Sequence, residues 1–162
     1  DLISIAGAKS ANEFWHIVST QTKLVEATLR AMDDANVDVL LTPTTATPAF
    51  LHGASKDLTP SVSYTMLWNL LHFPSGVVPT TLVRKDETDP KKYLDSLPVN
   101  QRDRYAKHAA TQCENSEGLP VGVQIVARPF QDETVLRAMK VLESQLDQQR
   151  NGPFPCAPAA LK

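Results

Sequence analysis

Residues 119–149 read LPVGVQIVARPFQDETVLRAMKVLESQLDQQ, and this stretch decides the fold class. From Leu119 to Ala127 apolar residues run almost without interruption, which predicts a strand buried on both faces. After Phe130 the period changes. Val135, Met139, Leu142 and Leu146 recur at steps of three or four, the apolar stripe of a helix over about Gln131–Gln149. Asp132 and Glu133 open that helix, where acids suit the positive end of the dipole. A buried strand feeding an amphipathic helix is a building unit of layered α/β proteins.

The upstream chain repeats the theme. Ser10 and Glu13 form an S-x-x-E capping box. Behind it Phe14, Val18, Gln21, Val25, Leu29 and Met32 share one helical face, and Asn36 is the expected stop. Val37–Thr44 (VDVLLTPT) holds the continuous apolar run of a buried strand, ended by Pro43. Thr59-Pro60 is a cap-plus-N1 pair opening a second helix. Tyr64, Leu67, Trp68 and Leu71 lie on one side of it, and Val62, Met66 and Leu70 on a neighbouring side, which predicts burial on more than one face, with Pro74 as terminator. Gly76–Val83 (GVVPTTLV) is another strand, made short, bulged or peripheral by Pro79. Residues 84–117 are charged and aperiodic, a surface connection with a short helix near Arg102–Gln112. The tail from residue 150 is proline-rich and expected to be disordered. Three strands with helices before, between and after fit a small self-contained core and equally the edge of a larger sheet.

Composition removes several functions. The 162 residues carry a net charge of −2, which gives no basis for nucleic-acid binding. The six glycines include no adjacent pair, so neither a P-loop nor a GxGxxG turn is present. Cys113 and Cys156 form no disulfide framework and no zinc spacing, and read as free thiols of a reducing compartment. His16, His52, His72 and His108 show no metal-ligand spacing. No apolar run reaches the ~20 residues of a membrane span. The chain does not begin with Met, which leads us to expect an internal fragment or a processed product.

Few residue pairs invite chemistry. Lys9-Ser10 suggests an activated serine, but adjacent residues at a helix start do not face each other, and capping accounts for Ser10. Asp33-Asp34 reads as a solvated helix end. Neither His72 nor His108 stands in any spacing that would pair it with Cys113. Met66 with Val62 and Trp68 fits an apolar cavity or plain core packing.

Four strings in order extend this reading. They are SANEFW (Ser10–Trp15), VDVLLTPT (Val37–Thr44), SVSYTMLWNLLHFPSGVVPTT (Ser61–Thr81) and GLPVGVQIVARPFQDETVLRAMKVLE (Gly118–Glu143). Together they resemble the C-terminal part of amidase-signature hydrolases, most closely the fatty acid amide branch. The resemblance covers all but 84–117 and the tail. It implies the C-terminal part of an α/β/α sandwich with a central mixed sheet. Residues 1–149 would be the amidase portion, 84–117 a variable surface insertion and 150–162 a disordered tail. It implies hydrolysis of amide C–N bonds by a Ser-Ser-Lys triad upstream of this chain, which would hold no catalytic residue and be inactive alone. Thr59, Val62 and Met66 would line the acyl-chain channel. Leu2, Ile3 and Ile5 would end a membrane-facing cap, with Trp15 just beyond. No metal or cofactor is implied. The implied partners are a lipid amide substrate, a membrane surface and a second copy in a homodimer, and the implied location is intracellular, on internal membranes. A non-catalytic lipid-binding or interaction module of α/β type is the alternative.

Overall fold

The computed structural model describes residues 7–150, with Gly152 and Phe154. Leu2, Ile3, Ile5, Cys156 and nearly all of the tail lie outside the described residues. The elements in order are α1 (Ala11–Asp34), β1 (Val39–Pro43), α2 (Ser63–Leu71), β2 (Ser75–Leu82), α3 (Pro90–Ser96), α4 (Arg104–Cys113), β3 (Pro120–Ala127) and α5 (Asp132–Arg150). The strand order is β1-β3-β2, so the apolar run that suggested the fold is the central strand. Both pairings are antiparallel, with Leu40 opposite Val126 and Gly76 opposite Ile125. The described strands hold no parallel pair, so this segment does not itself carry the mixed character expected of the whole sheet.

Each face of the sheet carries its own core. Met32, Trp68, Leu71, Phe73 and Val126 form one, with Val25, Leu29 and Leu40 packed against it, so α1 and α2 cover that face. Val78, Ile125, Ala127 and Val135 form the other beneath α5, with Met139, Leu142 and Leu146 against them. Helices on both faces of a sheet whose central strand is apolar but for Gln124 make an α/β/α sandwich. Two glycines permit its close approaches. A Cβ on Gly76 would collide with Met139 Sδ, and one on Gly122 would stand 2.6 Å from Val77 Cγ1.

Local signals explain most boundaries. Ser10 Oγ accepts from the Glu13 backbone N–H at 3.3 Å, while the Ser10 N–H donates to Glu13 Oε2 at 2.7 Å, which closes the capping box of α1. Asn36 adopts φ 51° and Val37 N–H returns to Met32 O at 2.9 Å, the left-handed stop that Asn tolerates. Pro79 sits at the bulge of β2, an edge strand, because it has no N–H for the ladder.

Four expectations change. Thr59 caps nothing. It begins a 3-10 turn, Thr59–Val62, that runs into α2, and its hydroxyl donates back to Lys56 O at 3.2 Å. The terminator of α2 is His72, at φ 59° with the Phe73 N–H on Trp68 O, and Pro74 merely follows. α2 buries only Trp68 and Leu71, while Tyr64, Met66, Leu67 and Leu70 are exposed. A helix has one line that can face one sheet, and the apolar residues off that line meet no layer among the described residues. Residues 84–117 are not all surface. They include α3, opened by Asp89-Pro90 with Asp89 Oδ1 accepting from Lys91 N–H at 2.8 Å. The short helix expected near Arg102–Gln112 is present as α4, and its Ala109, Ala110 and Cys113 are buried.

Candidate functional site

The segment from Thr44 to Thr65 wraps one end of β1. Thr44 Oγ1 donates to Gly122 O at 3.0 Å, which fastens the loop after β1 to the central strand. The Leu51 N–H donates to Gln112 Oε1 at 3.0 Å, which fastens the same loop to α4. Between these tethers Thr44, Thr45, Phe50, Leu58, Thr59 and Val62 line an open depression of about 370 Å³. No charged side chain among the described residues lines it. Such a recess favours an apolar ligand and gives an ionised one no partner.

The structure brings Thr59 and Val62 together in this recess. Val62 is 48% exposed, and Leu58, which also lines the recess, is buried. Met66 stands one turn further along α2, is 54% exposed, and does not line the recess. Thr65 takes that place instead.

Gln124 is the residue that periodicity did not single out. It is 2% exposed on the central strand. Its Nε2 donates to Thr42 Oγ1 at 3.2 Å and to Tyr64 O at 3.3 Å. One buried amide thus joins β3, β1 and the first turn of α2, and fixes the helix that follows Val62. The available signal was a lone polar residue in an apolar strand, which must find partners when buried.

The remaining chemical candidates are occupied structurally. Ser10 caps α1 beside an exposed Lys9. Asp33 Oδ1 lies 2.7 Å from an Arg128 guanidinium nitrogen, and Arg128 also donates to Val37 O at 3.2 Å, which locks the end of β3 to the end of α1. The Cys113 thiol donates to Ala109 O at 3.5 Å, and burial pushes its pKa up, away from the thiolate a nucleophile needs. The His72 Nε2 lies 3.1 Å from Gln21 Nε2, which also donates to Leu70 O at 2.6 Å. Among the described residues no group of three or more His, Cys, Asp or Glu side chains can hold a metal. Nor is any helix among them long and apolar enough to cross a membrane.

The family model described as Amidase matches residues 4–136, from before α1 into α5. The chain belongs to the amidase family. This amidase-family chain is 38% identical over 108 residues to "Fatty acid amide hydrolase 1" of Caenorhabditis elegans, covering 67% of the chain and 18% of that protein. It is 39% identical over 139 residues to "Fatty-acid amide hydrolase 1" of Sus scrofa, covering 83% of the chain and 23% of that protein. A solved "Fatty acid amide hydrolase" superposes with a TM-score of 0.68 at 26% identity, over 87% of this chain and 24% of its own. The chain therefore spans about a fifth of the length of the curated relatives it matches.

Proposed function

We propose that this chain is the C-terminal portion of a serine hydrolase that cleaves the C–N bond of fatty acid amides. The similarity to two fatty acid amide hydrolases over most of the chain carries the reading. In it, the Ser-Ser-Lys triad lies upstream of this segment, which supplies sheet edge and acyl-pocket wall and is inactive alone. The upstream serine attacks the amide carbonyl, the amine leaves, and water releases the acyl group from the serine. Thr59, Val62 and Met66 line the acyl side. The uncharged recess that holds Thr59 and Val62 suits an alkyl chain, each CH₂ of which gains about 0.8 kcal/mol on burial. Met66, exposed and outside that recess, is assigned to the acyl side further along α2.

Exposed aromatic residues support the proposed partners. Phe14 and Trp15 stand exposed on the first turns of α1, Trp15 at 66%, with ring centroids 6.1 Å apart. They suit contact with a membrane surface or with a second copy of the protein. The enzyme in this reading is intracellular and works on internal membranes, with roles in lipid metabolism. The exposed Met66, Leu67 and Leu70 weigh against a free-standing lipid-binding module, which would cover its own apolar helix.

Hydrolysis of long-chain fatty acid amides by the full-length protein, measured beside this chain alone, tests the reading. Turnover is expected only from the full-length protein. Turnover by the isolated chain that disappears when one of its own serines is replaced overturns the upstream triad.

A further inference from the structure

The recess that holds Thr59 and Val62 takes its walls from different elements. Thr44 and Thr45, just past β1, supply one wall. Val62 and Thr65, where the 3-10 turn runs into α2, supply the other. One buried side chain ties both. Gln124 and Val126 share a face of β3, the face that α1 and α2 cover. In register Gln124 stands opposite Thr42, two residues before Thr44. Its Nε2 donates to Thr42 Oγ1 at 3.2 Å, and at 3.3 Å to the carbonyl of Tyr64, the residue before Thr65. The β1 side has a second tie, from Thr44 Oγ1 to Gly122 O. The α2 side has none: among the described residues no other hydrogen bond joins residues 59–71 to β3.

An apolar side chain of this length would fill the same volume. Burial is non-directional, however, whereas a hydrogen bond holds its acceptor at one distance and angle. We propose that Gln124 is a positioning residue for chain-length preference, its two hydrogen bonds holding the β1 wall and the α2 wall at the separation that fits an alkyl chain. This rests on the reading of the recess as acyl wall. Gln124 is 2% exposed and does not line the recess, so it acts through Thr42 and Tyr64. Alkyl contacts with such a wall are alike in the ground state and the transition state, so weakening them raises KM and spares kcat.

The test compares decanamide with butanamide as substrates of the full-length protein. Gln124→Met should lower the ratio of kcat/KM for decanamide over butanamide by about fivefold or more, through KM for decanamide. Val135→Ala, in the core on the opposite face, loosens the fold without touching either tie and should leave the ratio unchanged. Thr42→Val removes the β1 acceptor alone and should move the ratio the same way by about threefold, which decides the matter if Gln124→Met does not fold. Hydrogen exchange gives a readout free of turnover. Protection at residues 63–69 should fall by about tenfold in Gln124→Met relative to that of α5. An unchanged ratio in Gln124→Met overturns the proposal, as does an unchanged ratio in Thr42→Val where that variant decides. An equal change in Val135→Ala overturns it too. If the wild-type protein hydrolyses neither amide, the fatty acid amide reading fails on its own, and exchange decides the positioning. Unchanged protection at residues 63–69 then overturns it.

Discussion

The Gln124 side-chain amide donates to the Tyr64 carbonyl at 3.3 Å, across 60 positions of sequence. The same nitrogen reaches Thr42 Oγ1 at 3.2 Å. Gln124→Met keeps the length of the side chain and removes the donor. It should destabilise the protein by about 1–3 kcal/mol, because the Thr42 hydroxyl and the Tyr64 carbonyl lose a buried partner. The measurement is the urea midpoint at constant m-value. An unmoved midpoint would mean that these groups are satisfied without Gln124.

The two strand glycines should respond unequally to a methyl group. Gly122→Ala presses on Val77 Cγ1 and approaches the Val78 carbonyl at 3.4 Å, so side chain and backbone must both yield. Gly76→Ala meets the thioether end of Met139, which can swing away. We expect about 1–3 kcal/mol of loss for Gly122→Ala and less for Gly76→Ala. Thermal unfolding of the two variants side by side gives the order, and the reverse order would contradict the packing described.

Acid should loosen the start of α1. The Glu13 carboxylate accepts from the Ser10 backbone N–H and the Ser10 hydroxyl, which hold its pKa below the ordinary 4.5. A depressed carboxylate stabilises the fold fully above its unfolded value, and that contribution fades as pH falls through the folded value. The protection factors of the amides at residues 11–14, with the intrinsic exchange rate divided out, should therefore fall in acid in the wild type and change much less in Glu13→Gln, which does not titrate. Equal acid sensitivity of the two proteins would assign the effect to another group.

In the full-length enzyme, Val62→Trp should lower kcat/KM for long-chain amides by about tenfold or more and spare short ones, because the indole fills the recess. Met66→Trp should act in the same direction and more weakly, since Met66 stands outside that recess. Equal losses on short and long substrates would remove both residues from the acyl wall.

The sequence alone determined what short-range patterns control. Continuous apolar character marked β3 as a buried strand, and stripes at steps of three or four placed α1 and α5. Ser10, Asn36 and Pro79 marked a cap, a stop and a bulge through their own backbone chemistry. The four ordered strings carried the family. The short helix α3 was legible in Asp89-Pro90 but hidden by the charge around it.

Only the tertiary structure decided the rest. Periodicity gave α2 two apolar sides and could not say which one meets the sheet, so the exposure of Met66 and its absence from the recess were beyond reach. The pairing of Gln124 with Tyr64 and the approach of residues 93–109 to residues 58–64 join parts of the chain that lie far apart. Such contacts follow from how helices and strands stack around a common core, and a side chain's neighbours there are set by that stacking and not by the residues beside it in sequence.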